Sequence, residues 1–325
     1  MEITNSELAT YQQCPKKWDL KYPQMLTTQK DSKNNPLFFG STMHLALEKF
    51  FKEGIIHSID FITLTYDETI KEYGDDERII EDLKEHKDLM LEMIAMYAPI
   101  ANEYNGQVIE VRDIEKEGKI QIGKINNRPL YYRFKIDQLV WFNNAWWIRE
   151  YKTASRIDNS YIENLMLDNQ VSRYIYAAEK AFGIKIAGII YEVFVKAKPE
   201  KPKLLKSGEL SKSLTTNITY DTYLQAIKEN NLNEADYNEQ LTILKEKGNP
   251  FFYREFIMRN AKDLQNTKDD LLALSKILRQ RNKIPTYKCP SRDCGWKCEF
   301  RQLCIDDNDG TRSMYVKREK YHPEY

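Results

Sequence analysis

One short stretch constrains the fold of this chain more than any other. Residues 146–153 (WWIREYKT) combine aromatic and β-branched residues with a polar end, which predicts a short buried strand. Successive strand side chains point to opposite faces. One face therefore carries Trp146, Ile148, Glu150 and Lys152, and the other carries Trp147, Arg149 and Tyr151. A carboxylate and a lysine on a face that begins with Trp and Ile are unusual for a solvated strand.

A second strand is predicted at residues 134–141 (FKIDQLVW), with Asp137 in its middle. Asn143 and Asn144 lie between the two strands and predict a hairpin turn, although the usual Gly is missing. An antiparallel pair would bring Asp137 close to Glu150 and Lys152.

These three residues suggest metal-assisted hydrolysis. Two carboxylates that converge in a cleft hold Mg²⁺ or Mn²⁺ through hard oxygen ligands. Such a metal polarises a scissile phosphate, and a nearby lysine orients or deprotonates the attacking water. The alternative is that Asp137, Glu150 and Lys152 are ordinary exposed charges, because these residue types are mostly found on surfaces.

Composition excludes several classes of protein. The 325 residues suffice for one large domain or two modest ones, and 42% hydrophobic with 30% charged residues is ordinary for a globular protein. Neither a membrane-spanning apolar run nor a signal-peptide pattern is found, so we expect a cytoplasmic protein without a membrane partner. Because the formal net charge is zero, nucleic-acid contacts must come from local basic groups. The candidates are Lys16, Lys17, Arg173 and the basic stretch 196–212.

Hydrophobic periodicity predicts alternating helices and strands. Helices are expected at 6–14 (ending before Pro15), 44–52 (capped by Ser41 or Thr42), within 59–104, at 163–182 (ended by Gly183), 221–230, 234–247 and 261–281. Strands are expected at 107–111, 119–122, 130–140, 145–153, 186–195 and 251–257. The apolar run 186–195 is typical of a central strand, and the helix before it predicts a parallel pair with a right-handed crossover.

The cysteines predict a metal centre. Cys289, Cys294, Cys298 and Cys304 place four thiols within sixteen residues. Without a secretion signal, such spacing favours Zn²⁺ or an iron–sulfur cluster over disulfides. Cys14 is the fifth cysteine, and as a ligand it would fasten the first helix to the last segment.

Together these motifs resemble the PD-(D/E)XK nuclease superfamily, in its RecB-like group that includes CRISPR-adaptation nucleases and phage exonucleases. In chain order the matching motifs are Ser6-x-Leu8 with Tyr11-x-x-Cys14-Pro15, Gly40-x-x-x-His44, Ile136-Asp137, Glu150-Tyr151-Lys152-Thr153, Gln170-x-x-x-Tyr174, and the trio Cys294, Cys298 and Cys304. Each motif alone is weak, but six in the right order are specific.

The resemblance implies an α/β (α+β) fold with a restriction-endonuclease-like central mixed sheet flanked by helices. It also implies a helical insertion and a cysteine-clamped C-terminal segment. Residues 1–325 would form a single nuclease domain. Its parts would be a helical insertion at about 55–105, a nuclease core at about 106–200, a helical region at about 215–282, and an iron–sulfur segment at 289–304 together with Cys14.

The resemblance also implies residue roles. Mg²⁺ or Mn²⁺ would be bound by His44, Asp137, Glu150 and the carbonyl of Tyr151; Lys152 would activate or position the water; Gln170 and Tyr174 would support the substrate or the active site; and Cys14, Cys294, Cys298 and Cys304 would hold a [4Fe–4S] cluster. One departure is that three residues separate Cys294 from Cys298, where the family more often has two. Cys289 is an additional thiol that is able to replace Cys294, and zinc remains an alternative metal.

The expected activity is therefore that of a Mg²⁺- or Mn²⁺-dependent deoxyribonuclease. It would act as an exonuclease on single strands or DNA ends, in DNA recombination, repair or processing, with recombination or repair proteins as partners and a phage role by analogy. Trp18, Tyr287 and Trp296 are expected either to stack on bases or to pack in the core. The alternatives are a non-catalytic DNA-binding or scaffold protein built on a nuclease fold, and a redox protein that uses the cysteines.

Overall fold

A computed structural model describes residues 2–28, 36–74, 76–280, 286–295 and 297–317. Its strands are β1 (Glu2–Thr4), β2 (Leu26–Thr28), β3 (Glu103–Tyr104), β4 (Gln107–Val108), β5 (Glu110–Ile125), β6 (Arg128–Phe142), β7 (Ala145–Ala154), β8 (Ile186–Val195), β9 (Phe252–Ile257) and β10 (Tyr315–Lys317). Its helices are α1 (Asn5–Gln13), α2 (Pro15–Lys21), α3 (Pro36–Glu53), α4 (Ile55–Tyr73), α5 (Glu77–Tyr97), α6 (Asn159–Met166), α7 (Asn169–Phe182), α8 (Tyr220–Glu229), α9 (Asn238–Lys247), α10 (Ala261–Arg279), α11 (Arg301–Ile305) and α12 (Asp309–Arg312). Short 3₁₀ helices span Ala98–Ile100, Glu234–Tyr237 and Arg292–Gly295.

A six-stranded mixed sheet forms the centre of the molecule. The order β1-β6-β7-β8-β9 runs across it, and β5 also pairs with β6. The β6–β7 and β8–β9 pairs are antiparallel, whereas β7 and β8 are parallel. Helices α7 and α10 contact this sheet, and α3 contacts β5 and β7. The predicted class, a mixed α/β fold with a central mixed sheet flanked by helices, is confirmed.

The predicted hairpin is confirmed in register and in turn. Gln138 pairs with Arg149 and Phe142 with Ala145. Asn143 and Asn144 both have positive φ angles, 48° and 57°. Two consecutive left-handed residues are what a tight two-residue turn between right-twisted strands requires, and Asn tolerates this backbone better than most residues.

The alternation of faces along β7 is also as predicted. Ile148 belongs to the apolar cluster that includes residues of α7 and α10, while Tyr151 belongs to the cluster formed with α3, α4 and α5. Glu150 therefore projects on the α7 side, and Arg149 projects on the other.

The start of α3 was predicted wrongly. The helix begins at Pro36 rather than after Ser41 or Thr42, so His44 lies in the middle of the helix. Proline suits a first helical turn, where its missing N–H is not needed. Gly40 does not interrupt α3, which passes near β7 there. A Cβ atom at Gly40 would lie 3.8 Å from the Thr153 hydroxyl oxygen.

Two separate strands predicted at 107–111 and 119–122 are largely one long strand, β5. The charged residues between them interrupt the hydrophobic pattern, which is why the sequence suggested a break. In the structure β5 is partnered by β6 and by no other described strand, so charged residues along it reach solvent without disturbing the ladder.

The helix predicted at 163–182 is two helices, α6 and α7, separated at Leu167 and Asp168. Asp168 caps α7, since its Oδ1 accepts a hydrogen bond of 2.8 Å from the Gln170 backbone N–H. Its Oδ2 accepts a second bond of 2.9 Å from the Tyr191 hydroxyl. The predicted end at Gly183 is confirmed, with the glycine in the left-handed conformation at φ 67°.

The helices predicted at 6–14 and 221–230 are found with shifts of one residue, whereas the one predicted at 234–247 is a 3₁₀ helix, Glu234–Tyr237, followed by α9. The 59–104 region contains α4 and α5, and α10 is described to Arg279, so the end predicted at Arg281 lies outside the described residues. Across the described part of the chain, we find no helix with the length and apolar character needed to cross a membrane.

Candidate active site

The six side chains proposed for catalysis come from four different elements that meet beside the β6–β7 hairpin. They are His44 on α3, Asp137 on β6, Glu150 and Lys152 on β7, and Gln170 and Tyr174 on α7. Polar contacts join five of them in two groups, His44 with Asp137, and Glu150 with Lys152 and Gln170. The Tyr151 backbone N–H, next to Glu150 on β7, bonds Asp137, and Tyr174 packs nearby.

Asp137 is fixed by two contacts. Its Oδ1 lies 3.1 Å from His44 Nδ1, and its Oδ2 accepts a hydrogen bond of 2.8 Å from the Tyr151 backbone N–H. Burial favours the neutral acid, but the charge and hydrogen bond of His44 outweigh it and lower the pKa of Asp137. Burial also favours the neutral form of His44, which lowers its pKa. The charge and hydrogen bond of Asp137 more than offset this effect, so the net shift of the His44 pKa is upward. Asp137 is therefore ionised at neutral pH.

Glu150 has the opposite electrostatic situation. The residue is only 2% exposed, and its Oε1 has no hydrogen-bond partner among the described residues. Its Oε2 lies 3.5 Å from Gln170 Nε2 and 3.9 Å from Lys152 Nζ. Burial, and then the negative charge of Asp137, raise the pKa of Glu150 well above its usual range. Glu150 and Asp137 thus repel each other across a poorly solvated site, a strain that a bound cation would relieve.

Lys152 is positioned by Gln170. Its ammonium donates a hydrogen bond of 3.3 Å to Gln170 Oε1 and lies 5.8 Å from the centre of the Tyr191 ring. One amide therefore contacts both Lys152 and Glu150 and holds them on the same side of the cleft.

Tyr174 lies one helical turn after Gln170 on α7. Its ring packs 6.3 Å from that of Phe134, measured between centroids. Burial, with the charges of Glu150 and Asp137, raises the pKa of its phenol well above the usual value. Tyr174 therefore stays protonated.

A further carboxylate near the site was missed by the sequence analysis. Glu115 lies on β5 between the paired positions Ile114–Gln138 and Lys116–Ile136, directly opposite Asp137, and has a positive φ of 55°. Its Oε2 lies 2.5 Å from Lys135 Nζ. Burial raises the pKa of Glu115, and the charge of Asp137 adds to the effect. The mixed-charge sequence around Glu115 resembles a solvated strand, so no sequence signal singles this residue out.

The side chains at this site fit a hard divalent cation. Two carboxylates, one with an unpartnered buried oxygen, offer the oxygen ligands that Mg²⁺ and Mn²⁺ prefer, and Mg²⁺ needs only one or two of them because it retains several waters. As placed, the described residues contain no group of three or more His, Cys, Asp or Glu side chains able to hold a metal ion. At the active site, the two oxygens of Asp137 contact His44 and the Tyr151 N–H.

All five cysteines line a cavity of about 260 Å³, separate from the candidate active site, between the start of α2 and the C-terminal segment. The Cys289 backbone N–H donates to Cys14 Sγ at 3.4 Å, and the Ser291 N–H donates to Cys294 Sγ at 3.3 Å. Burial and neighbouring thiols raise the pKa of Cys298 and Cys304. None of the five forms a disulfide.

The aromatic candidates for base stacking have different environments. Trp18 is 1% exposed, and its Nε1 donates to Glu7, so it packs in the core. Tyr287 is 59% exposed, whereas Trp296 lies outside the described residues. Of the basic candidates, Arg173 is only 4% exposed, so it lies below the surface and lines a pocket instead.

Replacing Glu150 by glutamine is expected to stabilise the metal-free protein by about 1–3 kcal/mol at pH 8, because an uncompensated buried charge is removed. The pKa of Glu150 is raised on folding, so wild-type stability is fully present below the unfolded value of 4.5 and is lost as the pH rises through the folded pKa. The advantage of Glu150→Gln should thus be small at pH 4.5 and larger at pH 8. Urea unfolding in EDTA at both pH values measures it, and equal advantages at both would contradict the assignment.

The family model described as PD-(D/E)XK nuclease superfamily matches residues 2–305. A search of curated protein sequences gives no significant match. Among solved structures, the crystal structure of SSO0001 aligns with a TM-score of 0.34 at 10% identity, covering 93% of this chain and 85% of that one. A candidate exonuclease from Eubacterium rectale aligns with a TM-score of 0.45 at 11% identity, covering 90% of this chain and 86% of the other.

Proposed function

Because the chain belongs to the PD-(D/E)XK nuclease superfamily, we propose that it is a Mg²⁺- or Mn²⁺-dependent deoxyribonuclease. The observation that carries the proposal is the pairing of Asp137 with the buried, incompletely satisfied Glu150, beside an ammonium group in the same cleft. Its substrates are single strands or DNA ends, on which it acts as an exonuclease. It works in the cytoplasm, in DNA recombination, repair or processing.

The metal-binding residues are His44, Asp137, Glu150 and the carbonyl of Tyr151. When bound, the divalent cation supplies Lewis-acid polarisation of the scissile phosphate and favours deprotonation of water. Asp137 is held for this task by the Tyr151 backbone N–H. His44 is able to exchange its contact with Asp137 for a role as ligand, because its ring faces the carboxylate.

Lys152 positions the attacking water and stabilises the negative charge that develops on the phosphate oxygens. Gln170 restrains the lysine through its Oε1, so that the ammonium stays near the Glu150 carboxylate. Tyr174, which stays a neutral phenol, lines the same region and supports the substrate or the active-site side chains.

We further propose that the protein is of the RecB-like type and holds a [4Fe–4S] cluster through Cys14, Cys294, Cys298 and Cys304. The shared cavity of the five thiols and the backbone N–H groups directed at two sulfurs support this, since hydrogen bonds to sulfur are typical of such sites. A cluster of four irons spaces its ligands more widely than a single ion does. Cys289 is the alternative to Cys294, and zinc is the alternative metal.

We propose a single nuclease domain, in which the cluster braces the C-terminal segment against α2. The helical insertion at about 55–105, the core at about 106–200 and the helical region at about 215–282 are its parts. Contacts between α2 and the C-terminal segment support this arrangement, for example the ion pair of 3.1 Å between Lys21 and Glu299.

The test is digestion of end-labelled single- and double-stranded DNA with Mg²⁺, with Mn²⁺ and with EDTA. Asp137→Asn is expected to abolish metal-dependent cleavage, because the carboxylate that His44 and Tyr151 hold would lose its charge. Asp67→Asn is the matched control, since Asp67 on α4 forms an ion pair of 2.8 Å with Lys87 on α5, in the helical insertion. Absence of metal-dependent cleavage by the wild type would favour the scaffold alternative. Redox activity untouched by Asp137→Asn would favour the redox alternative.

A further inference from the structure

A polar pocket adjoins the candidate active site and is distinct from the cysteine cavity. Its volume is about 510 Å³, within the range of small-molecule sites, and it lies among α1, α6 and α7. Lys152 and Gln170 line this pocket, and so do Asn5, Gln12 and Arg173. A ligand group that occupies it would therefore lie next to the reacting groups.

Arg173 is the unusual residue of this pocket. Its Nη1 donates to Asn5 Oδ1 at 2.8 Å and its Nη2 donates to Gln12 Oε1 at 2.7 Å. Both partners are neutral amides, and among residues with described side chains no carboxylate forms an ion pair with the guanidinium. A guanidinium carries five N–H donors, of which these bonds use two. The chain thus buries a cation whose direct hydrogen-bond partners are both neutral, and a bound anion would supply the charged partner that a buried guanidinium favours.

The carboxylate in this pocket acts on Arg173 electrostatically but is not its direct partner. Asp168 also lines the cavity, but its two oxygens accept hydrogen bonds from the Gln170 N–H and the Tyr191 hydroxyl. Burial lowers the pKa of the Arg173 guanidinium even though Tyr132, Asp168 and Asp270 act in the opposite direction. The pocket therefore offers two cations, Lys152 and Arg173, together with amide groups and the Asp168 carboxylate, whose oxygens are already hydrogen-bonded.

We propose that this pocket binds a phosphate group of the DNA strand adjacent to the scissile phosphodiester, with Arg173 as its anchoring cation. Planar guanidinium donors match phosphate oxygens, and the pre-formed bonds to Asn5 and Gln12 fix the orientation of the fork. The proposal rests on the proposed nuclease function. The phosphate is either a terminal monoester or an internal diester, and the two are separable by experiment.

The test is DNA binding measured by fluorescence anisotropy in EDTA, where no cleavage occurs. The probes are single strands with a 5′-phosphate, with a 3′-phosphate or with hydroxyls at both ends. Gln12→Glu places a carboxylate against Arg173 without changing size, and Arg173→Lys keeps the charge but removes the fork. Gln121→Glu is the matched control, since it adds the same charge at an exposed position of β5 that lines neither this pocket nor the cysteine cavity.

Gln12→Glu is expected to raise the Kd about tenfold or more, as loss of one charge-assisted contact implies. The slope of log Kd against log salt should fall by about 0.7, the value for one phosphate on a single strand. The melting temperature should stay level or rise, because Arg173 gains an internal partner. Arg173→Lys should weaken binding less, and Gln121→Glu should leave the Kd and the slope within error of wild type.

An effect confined to one phosphorylated end would identify a terminal phosphate, and an equal effect on all three probes would identify an internal one. Wild-type Kd and salt slope in both Gln12→Glu and Arg173→Lys would overturn the subsite, as would a failure of the wild type to bind any probe. Cleavage by the wild type together with unaltered binding in Gln12→Glu would reject the pocket and leave the nuclease function standing. Weakened binding in Gln12→Glu, combined with a wild type that binds DNA but does not cleave it, would support the pocket and reject the nuclease function.

Discussion

Replacing Lys152 by alanine is expected to lower metal-dependent DNA cleavage by about 10²–10⁴-fold, the usual contribution of a positioned proton-transfer or charge-stabilising group. The ammonium lies 3.9 Å from Glu150 Oε2 and is held by Gln170, so it is fixed where the attacking water and the phosphate would meet. Single-turnover cleavage of an end-labelled strand measures the chemical step directly.

Fold and DNA affinity should survive this change. Lys152 is 31% exposed through its side chain, so alanine leaves no large cavity. Binding in EDTA should weaken by no more than one phosphate contact, and the far-ultraviolet circular dichroism should be unchanged. Lys49→Ala is the matched control on α3, since Lys49 forms a surface pair of 2.7 Å with Glu53. Undiminished cleavage by Lys152→Ala would remove the lysine from the mechanism.

Local patterns in the sequence were sufficient to predict the hairpin that carries this lysine. The period-two alternation of residues 146–153 assigned Ile148 and Tyr151 to opposite faces, and the Asn143–Asn144 pair fixed the turn. Register in such a hairpin follows from the turn and from the buried face, both of which are local properties. The meeting of Asp137 with Glu150 was therefore predictable before any tertiary contact was known.

Features that depend on distant parts of the chain could not be predicted. Arg149 was correctly placed on the reverse face, but its complete burial, 3.5 Å from Glu192 and beside Gln138, depends on the neighbouring strands. Arg254 on β9 also bonds Glu192, at 2.8 Å. Such a network becomes visible only when the order of strands is known. The left-handed backbone of Glu115 is similarly absent from the sequence pattern.

The second large effect is expected at the cysteines. Protein purified without oxygen should be brown, and Cys304→Ser should bleach it and cost about 2–5 kcal/mol of stability, the range for the loss of a covalent staple. The reason is topological: Cys14 contacts Cys289 across 275 residues of chain, so a cluster there closes a very long loop. Absorption near 400 nm, iron and sulfide content, and thermal unfolding measure the two effects together.

The same experiment decides which cysteines are ligands. Serine at a true ligand position should remove colour and stability together, whereas serine at the remaining thiol should leave both unchanged, so Cys289→Ser and Cys294→Ser are each other's control. The C-terminal segment has its own apolar contacts, in which Leu20 packs with Phe300 and Leu303. This cluster is small and separate from the core that packs on the sheet. Loss of the metal should for that reason loosen the C-terminal segment more than the central sheet, and limited proteolysis should cut first after residue 286. A colourless protein with one equivalent of zinc would reject the iron–sulfur assignment, because zinc gives no such absorption.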